Sequence, residues 1–236
     1  MAVIDRNNTM IEKNVAIIIP VYNEEQVIGG VVKTMLTRFK YVICVDDGST
    51  DNSSIEIKRT AAYLISHPIN MGQGATLQTG IEFARQIPEV EYFVTYDADG
   101  QHRLDDVLAM LETIKDNGDD IVLGSRFLGT TIGMKLSKRI VLKAAIWFSN
   151  ATSGLKLTDT HNGLRVFNRK VAEGLQISVP DMAHASEIID IIAEKKYKYR
   201  EVPVTIEYTP YSRAKGQSII NAVNIGFDTL LRKLSN

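Results

Sequence analysis

The 236-residue sequence predicts an α/β protein with an open, mostly parallel sheet flanked by helices. Two observations carry that expectation. Continuous apolar runs alternate with segments of helical period, and polar clusters at 20–25, 46–51, 70–74 and 97–102 each follow a predicted strand. In such sheets ligands bind beyond the carboxyl ends of the strands. Four clusters on one edge can therefore build a site where any single one would be a turn.

Met1 to Asn14 is polar and reads as a tail. The run from Val15 to Pro20 is apolar without alternation, the pattern of a strand covered on both faces. Helical spacing follows at Val27, Val31, Met35 and Leu36, then a second strand at Tyr41–Val45. Ser49 and Asp51 supply caps for a helix after it. Tyr63–Ile65 is a short strand, and Asn70-Met71-Gly72-Gln73-Gly74 opens a helix through Leu77, Ile81 and Ala84. Glu91–Tyr96 is a strand ending in Asp97-Ala98-Asp99; a helix from about Leu104 to Lys115 and a strand at Asp120–Leu123 complete the alternation. After Gly124 the rhythm changes to a long helix over 134–151, a polar loop at 158–163, a short strand at 164–167, helices near 169–175 and 184–193, and a strand over 199–207. The chain reads as one domain, with a nucleotide-binding half at 15–125 and an acceptor half at 126–216, closed by an amphipathic C-terminal helix over 217–236.

Composition narrows the function. With 27 basic against 28 acidic residues, the chain lacks the broad positive field of a protein that grips nucleic acid. One cysteine, Cys44, allows neither an intrachain disulfide nor a multi-cysteine zinc site, which favours a reducing, cytoplasmic setting. No apolar run reaches the roughly 18 residues of a membrane span. The segment 140–151 comes nearest, is interrupted by Lys143, and leaves peripheral membrane contact open.

Asp97 and Asp99, one small residue apart past a strand, can aim two carboxylates at one hard cation, Mg²⁺ or Mn²⁺, with Gln101 and His102 as further donors. The competing reading is a capped turn before the next helix. Asp46-Asp47-Gly48 offers acceptors for a base or ribose, or a solvated turn. In Pro20-Val21-Tyr22-Asn23-Glu24-Glu25, Tyr22 offers a stacking face and Glu24 an acceptor. The turn around Gly72 can present backbone amides to a phosphate, though no full dinucleotide or Walker fingerprint exists. Arg126, Arg139, Arg165 and Arg213 lie in or near polar loops, the residue type best suited to phosphate, and Lys215 sits close by with Tyr208 and Tyr211.

Together the stretches IPVYNEE (19–25), VDDGSTD (45–51), NMGQGATLQTG (70–80), YDADGQH (96–102), GSRF (124–127), DTHNGLRVF (159–167) and YSRAKGQS (211–218) resemble the family-two glycosyltransferases of the GT-A fold. Within them the likeness runs to the dolichol-phosphate mannosyltransferase and polyprenyl-phosphate glycosyltransferase group and to bacterial polysaccharide enzymes. The resemblance implies that Pro20, Tyr22 and Glu24 line a nucleoside pocket and that Val45 and Asp47 contact the base. It sets Asp97, Ala98 and Asp99 against ribose and diphosphate, with Asp99 the leading metal ligand and Gln101 a second. It turns Arg126 and Arg139 toward acceptor or sugar, and Arg213 toward the diphosphate from a closing loop. Gln73 stands where many relatives carry lysine, and Ile219 where mannosyltransferases often carry a basic residue that Lys215 could replace.

The implied reaction is inverting transfer of a sugar from a nucleotide diphosphate sugar to a polyprenyl-phosphate or glycan hydroxyl acceptor. A hydroxyl acceptor needs a base, for which Asp159 and then Glu187 are the candidates; a lipid phosphate needs none. Two other classes share the pocket: a nucleotide-sugar-binding subunit without catalysis, and a DxD phosphatase, which the order of Asp46-Asp47 before Asp97 disfavours. The apolar side of the C-terminal helix suits core packing, a homodimer, or attachment beside a lipid acceptor.

Overall fold

The computed structural model describes residues 12–179 and 183–215. The expected C-terminal helix lies outside the described residues, as does most of the expected tail. The first strand, β1, runs Glu12–Val21 and so starts inside that tail. Glu12 is polar, yet its amide donates to the Arg38 carbonyl at 2.7 Å, and that bond carries the ladder outward.

β1 is central. It pairs in parallel with β2 (Phe39–Asp46) on one side and β4 (Tyr92–Thr95) on the other, with β3 (Tyr63–Ser66) parallel beyond β2. β6 (Arg165–Asn168) runs antiparallel between β4 and β5 (Ile121–Ile132), and β7 (Tyr199–Glu207) is parallel to β5. The order is β3-β2-β1-β4-β6-β5-β7. The reversal of β6 positions the site: its start, not its end, lies on the edge where the other strands finish, so the 158–163 loop arrives beside the Asp97 turn.

The helices are α1 (Ile28–Leu36), α2 (Ser53–Lys58), α3 (Gln73–Arg85), α4 (Leu104–Asn117), α5 (Leu136–Ser153), α6 (Arg169–Gly174), α7 (His184–Glu194) and α8 (Pro210–Lys215). Val15 to Ile19 have no exposed surface because both faces are covered. Val15, Ile17 and Ile19 join Ile28, Met35 and Met110 of α1 and α4, while Ala16 and Ile18 join Leu77, Ile81 and Ile188 of α3 and α7. Each such buried side chain contributes about 1.5–3 kcal/mol. β5 is much longer than expected, because its register shifts between Ser125 and Thr130 and pairing resumes with β7 at Thr205. Gly129 permits this: a Cβ there would stand 2.2 Å from the Val204 carbonyl oxygen. The apolar pattern of the sequence ends this strand at Leu123.

Candidate active site

The first acidic turn is fastened to the glycine turn. The Asp47 carboxylate accepts from the amides of Met71 (2.9 Å) and Gly72 (2.8 Å) and pairs with His67 Nδ1 at 2.7 Å. The other ring nitrogen of His67 meets Thr79 Oγ1 at 3.0 Å, so this histidine is structural. Gly48 has φ +69°, and a Cβ there would come within 2.7 Å of the Ile69 backbone, so only glycine lets the two turns close. Two expectations change. The Gly72 amide already donates to Asp47 and to Asn70 Oδ1, so it is not available to cradle phosphate. Val45 is fully buried against α3, where its methyl group would lie 3.2 Å from a Cβ at Gly80, so its side chain cannot contact a base.

The loop after β1 is stitched to the loop after β2. Asn23 adopts φ 56°, its amide donates to Ser49 Oγ at 2.9 Å, and its Oδ1 accepts from the Thr50 amide at 2.8 Å. The Glu24 amide donates to Ser53 Oγ at 2.7 Å. Tyr211 of α8 donates its hydroxyl to the Glu24 carboxylate at 2.7 Å, which draws the C-terminal part of the described chain over this edge. Pro20 is half-buried and Tyr22 is 44% exposed, a ring presented at the mouth of the site.

Asp97 and Asp99 follow β4. His102 Nε2 lies 3.0 Å from Asp97 Oδ2, and Gln73, the first residue of α3, donates to Oδ1 at 3.3 Å. Gly163 closes on the same carboxylate: a Cβ there would stand 2.2 Å from Oδ2. Burial raises the Asp97 pKa, but the hydrogen bond and charge of His102, then Arg165 and His184, outweigh it and hold the carboxyl below its ordinary range. Asp99 behaves oppositely. Burial and then the charge of Asp97 push it up to about 6, against the Gln101 amide that donates to it at 3.1 Å. Gln101 Nε2 also donates to Asp99 at 2.6 Å, and the small Ala98 between the acids is buried.

Two carboxylates so close that the charge of Asp97 raises the pKa of Asp99 fit a divalent cation, which would relieve the repulsion. No group of three or more His, Cys, Asp or Glu side chains suited to a metal occurs among the described residues. An ion held by Asp99 and Asp97 would therefore complete its shell with ligand or water oxygens.

The acceptor half differs from expectation. Arg126 Nε donates to Asp159 at 2.6 Å, Nη1 to the Tyr208 hydroxyl at 3.0 Å, and Nη2 to the His161 carbonyl at 2.9 Å. All three guanidinium nitrogens are committed, so Arg126 fixes the 158–163 loop and is not free to grip an acceptor. Asp159 has no exposed side-chain surface and is ion-paired to that arginine, which removes it as a base. Glu187 accepts from the amides of Ser178 and Val179, at 3.1 and 3.0 Å, and from the Ser178 hydroxyl; it ties that segment to α7 and cannot serve as the base either.

Arg165 is buried on β6 beside Thr95, and its Nη1 has no hydrogen-bond partner among the described residues. Burial lowers its pKa to about 10 although Asp97 and Asp159 attract its charge, so it remains a cation behind the Asp97 turn. His161 is pushed down to about 4 by burial, so it is neutral at pH 7. Arg139 is exposed on α5. The side chains of Arg213 and Lys215 lie outside the described residues.

Four contributors escaped the sequence reading in these roles. Gly163 makes room for Asp97, Gln73 bonds it, and Glu201 accepts from the Thr158 and Asp159 amides, at 2.8 and 2.9 Å, to shape the loop. Lys138 at the start of α5 feels both Arg126 and Asp99, its pKa lowered by burial and then by Arg126. Only Gln73 had a signal, its place in the glycine turn.

The sequence model of Glycosyl transferase family 2 matches residues 16–175. The chain is 29% identical to the UDP-N-acetylglucosamine–dolichyl-phosphate N-acetylglucosaminyltransferase of Methanococcus voltae, over 95% of this chain and 98% of that one. It is 27% identical to the polyprenol monophosphomannose synthase of Mycolicibacterium smegmatis, over 89% and 82%. Among solved structures, glucosyl-3-phosphoglycerate synthase of M. tuberculosis superposes with a TM-score of 0.71 at 15% identity, over 94% of this chain and 80% of that one. The fold is thus of the GT-A kind, with strand ends bearing the acids as the motifs imply, and the chain belongs to glycosyl transferase family 2.

Proposed function

We propose that the protein transfers a sugar from a nucleotide diphosphate sugar to a polyprenyl phosphate, with inversion and with Mg²⁺ or Mn²⁺ at Asp99 and Asp97. One observation carries the choice of acceptor. Both acids that could deprotonate a hydroxyl, Asp159 and Glu187, are committed to the chain's own groups, whereas cations lie close to the Asp97–Asp99 turn. A phosphate oxygen is already anionic and needs no base. The names of the Methanococcus and Mycolicibacterium relatives, a dolichyl-phosphate transferase and a polyprenol monophosphomannose synthase, support the same class. The glucosyl-3-phosphoglycerate synthase has also been solved with Mn²⁺, UDP and glucosyl-3-phosphoglycerate, which supports the donor class and the ion.

In this reading Tyr22 and Glu24 border the nucleoside, and the Asp47 turn fixes the shape of its pocket. When bound, the ion neutralises the donor's diphosphate. Arg165 adds a fixed positive charge behind the same turn, arranged before reaction and so costing no reorganisation. Lys138 and Arg139 at the start of α5 take the acceptor phosphate, Lys138 replacing Arg126 beside Arg139 in the task expected of the two arginines. One phosphate oxygen attacks the anomeric carbon opposite the leaving group. The new C–O bond forms as the bond to the diphosphate breaks, and no proton moves.

The test offers uridine and guanosine diphosphate sugars, with and without Mn²⁺, to a short-chain polyprenyl phosphate, the matching polyprenol and a free glycan. Glycosylation of the phosphate alone is expected. Transfer to the alcohol or glycan that disappears in Asp159→Asn would instead restore a base mechanism.

A further inference from the structure

Five of the ten large hydrophobic side chains exposed among the described residues fall in one short stretch: Leu128, Ile132, Leu136, Ile140 and Trp147. Leu128 and Ile132 end β5, and the other three lie on α5. On that helix Leu136, Ile140, Ala144, Trp147 and Ala151 are all exposed, at the spacing of a single stripe along one face. Only Ile146 and Ser149 of its 18 residues are buried. A globular helix normally turns such a stripe inward; here Trp147 is 73% and Leu136 72% exposed.

Charge identifies what covers this face. Between Asp120 and Asp159 the sequence has no acidic residue and six cations, Arg126, Lys135, Lys138, Arg139, Lys143 and Lys156, although the whole chain carries a net charge of −1. Arg139 and Lys143 are exposed one step round the helix from the apolar stripe. A second copy would bring like charge against like. The segment from 216 to 236 carries Asp228 against Arg232 and Lys233 and offers no acidic surplus to match. An anionic lipid surface satisfies both features at once, apolar chains under the stripe and phosphates beside the cations.

We infer that α5 and the end of β5 form a surface that docks in the plane of an anionic membrane. No helix among the described residues is long and apolar enough to cross a membrane, so the mode is attachment to the face of the bilayer. Its use rests on the lipid-phosphate reading above: Lys138, in the first turn of α5, stands over the Tyr208 ring at 4.5 Å, and the Tyr208 hydroxyl accepts from Arg126, so docking this helix brings the site to the headgroup layer. The binding itself requires neither donor nor acceptor, and it can stand or fall separately.

Trp147 is the only tryptophan in the chain, so its fluorescence reads the event directly. Full-length protein is mixed with vesicles of equimolar phosphatidylcholine and phosphatidylglycerol, without sugar donor. The expected result is a blue shift of emission, loss of quenching by acrylamide, and reversal by salt. Ile140→Ser should weaken vesicle binding roughly tenfold and Lys143→Glu at least fivefold. Both should melt like the parent and keep transfer to a short-chain acceptor in solution. Emission unchanged by the vesicles would overturn the proposal. So would a Trp147 already shielded from acrylamide in the free protein, since the 216–236 segment or a second copy would then hold the face.

Discussion

Through residue 120 the strand ends present acids, and those acids collect the chain's own amides: Asp47 holds Met71 and Gly72, Asp46 holds Ser49, and Asp51 holds Ser53. From 121 to 158 there is no acid at all, and the arginine that opens this region is bound by an acid from its far end, Asp159. In the first region negative charge is shared with neutral backbone donors, leaving Asp97 and Asp99 close together with their repulsion unresolved. In the second, one buried ion pair fixes the loop while three of the other cations, Lys138, Arg139 and Lys143, are exposed on α5. A site for an anionic donor beside an anionic acceptor needs both arrangements.

The ion pair is the most fragile part of that contrast. Asp159→Ala would leave Arg126 buried and uncompensated, at a cost of about 3–5 kcal/mol in denaturant unfolding. Replacing both partners with apolar residues should recover most of it. A loss no larger than that of an exposed pair, about 1 kcal/mol or less, would mean that the loop does not depend on the bridge.

Gly163→Ala joins the two regions at their closest approach. The added methyl group meets the Asp97 carboxylate, so kcat should fall about a hundredfold through misplaced geometry while the melting temperature drops only a few degrees. Equal activity would show that Asp97 has room to move.

The pH dependence should differ between the two regions as well. Asp99 has its pKa raised from 3.8 to about 6, so its own contribution to stability falls as pH rises through that window. His161, lowered from 6.5 to about 4, contributes a rise of opposite sign over nearly the same range. Thermal melts of the metal-free protein and of Asp99→Asn isolate the Asp99 contribution: the variant should gain stability relative to its parent as pH rises from about 4 to 6. An unchanged slope would remove the proposed crowding. The smallest effect is expected at Glu187→Gln, which keeps an acceptor for the Ser178 or Val179 amide: about 1–2 kcal/mol of stability, with turnover preserved. Loss of turnover without loss of stability would return Glu187 to the chemistry.

How much of this was legible in the sequence follows the same division. The parallel strands read clearly because each is apolar throughout, and the polar clusters after them fell on the expected edge. Local sequence could not reveal which acids are satisfied by partners far along the chain. Asp159 in a polar loop resembles a free base until Arg126, 33 residues away, is seen on it. Glu187 on an apolar helix face looked out of place until Ser178 and Val179 supplied its donors. Gly72 stood at a helix start, as an anion cradle would, yet its amide faces Asp47. Val45 shares a motif with Asp47, but Val45 still lies within β2 and packs against α3, whereas Asp47 lies past the end of the strand.

Donor binding to Asp99→Asn, followed by calorimetry with Mn²⁺ alongside turnover and a melt, addresses the catalytic account most directly. The substitution keeps the shape of the side chain and removes its charge. The account predicts an intact fold, loss of metal-dependent nucleotide-sugar binding, and turnover reduced at least about a hundredfold. A variant that binds the donor with Mn²⁺ and turns over as fast as its parent would contradict it.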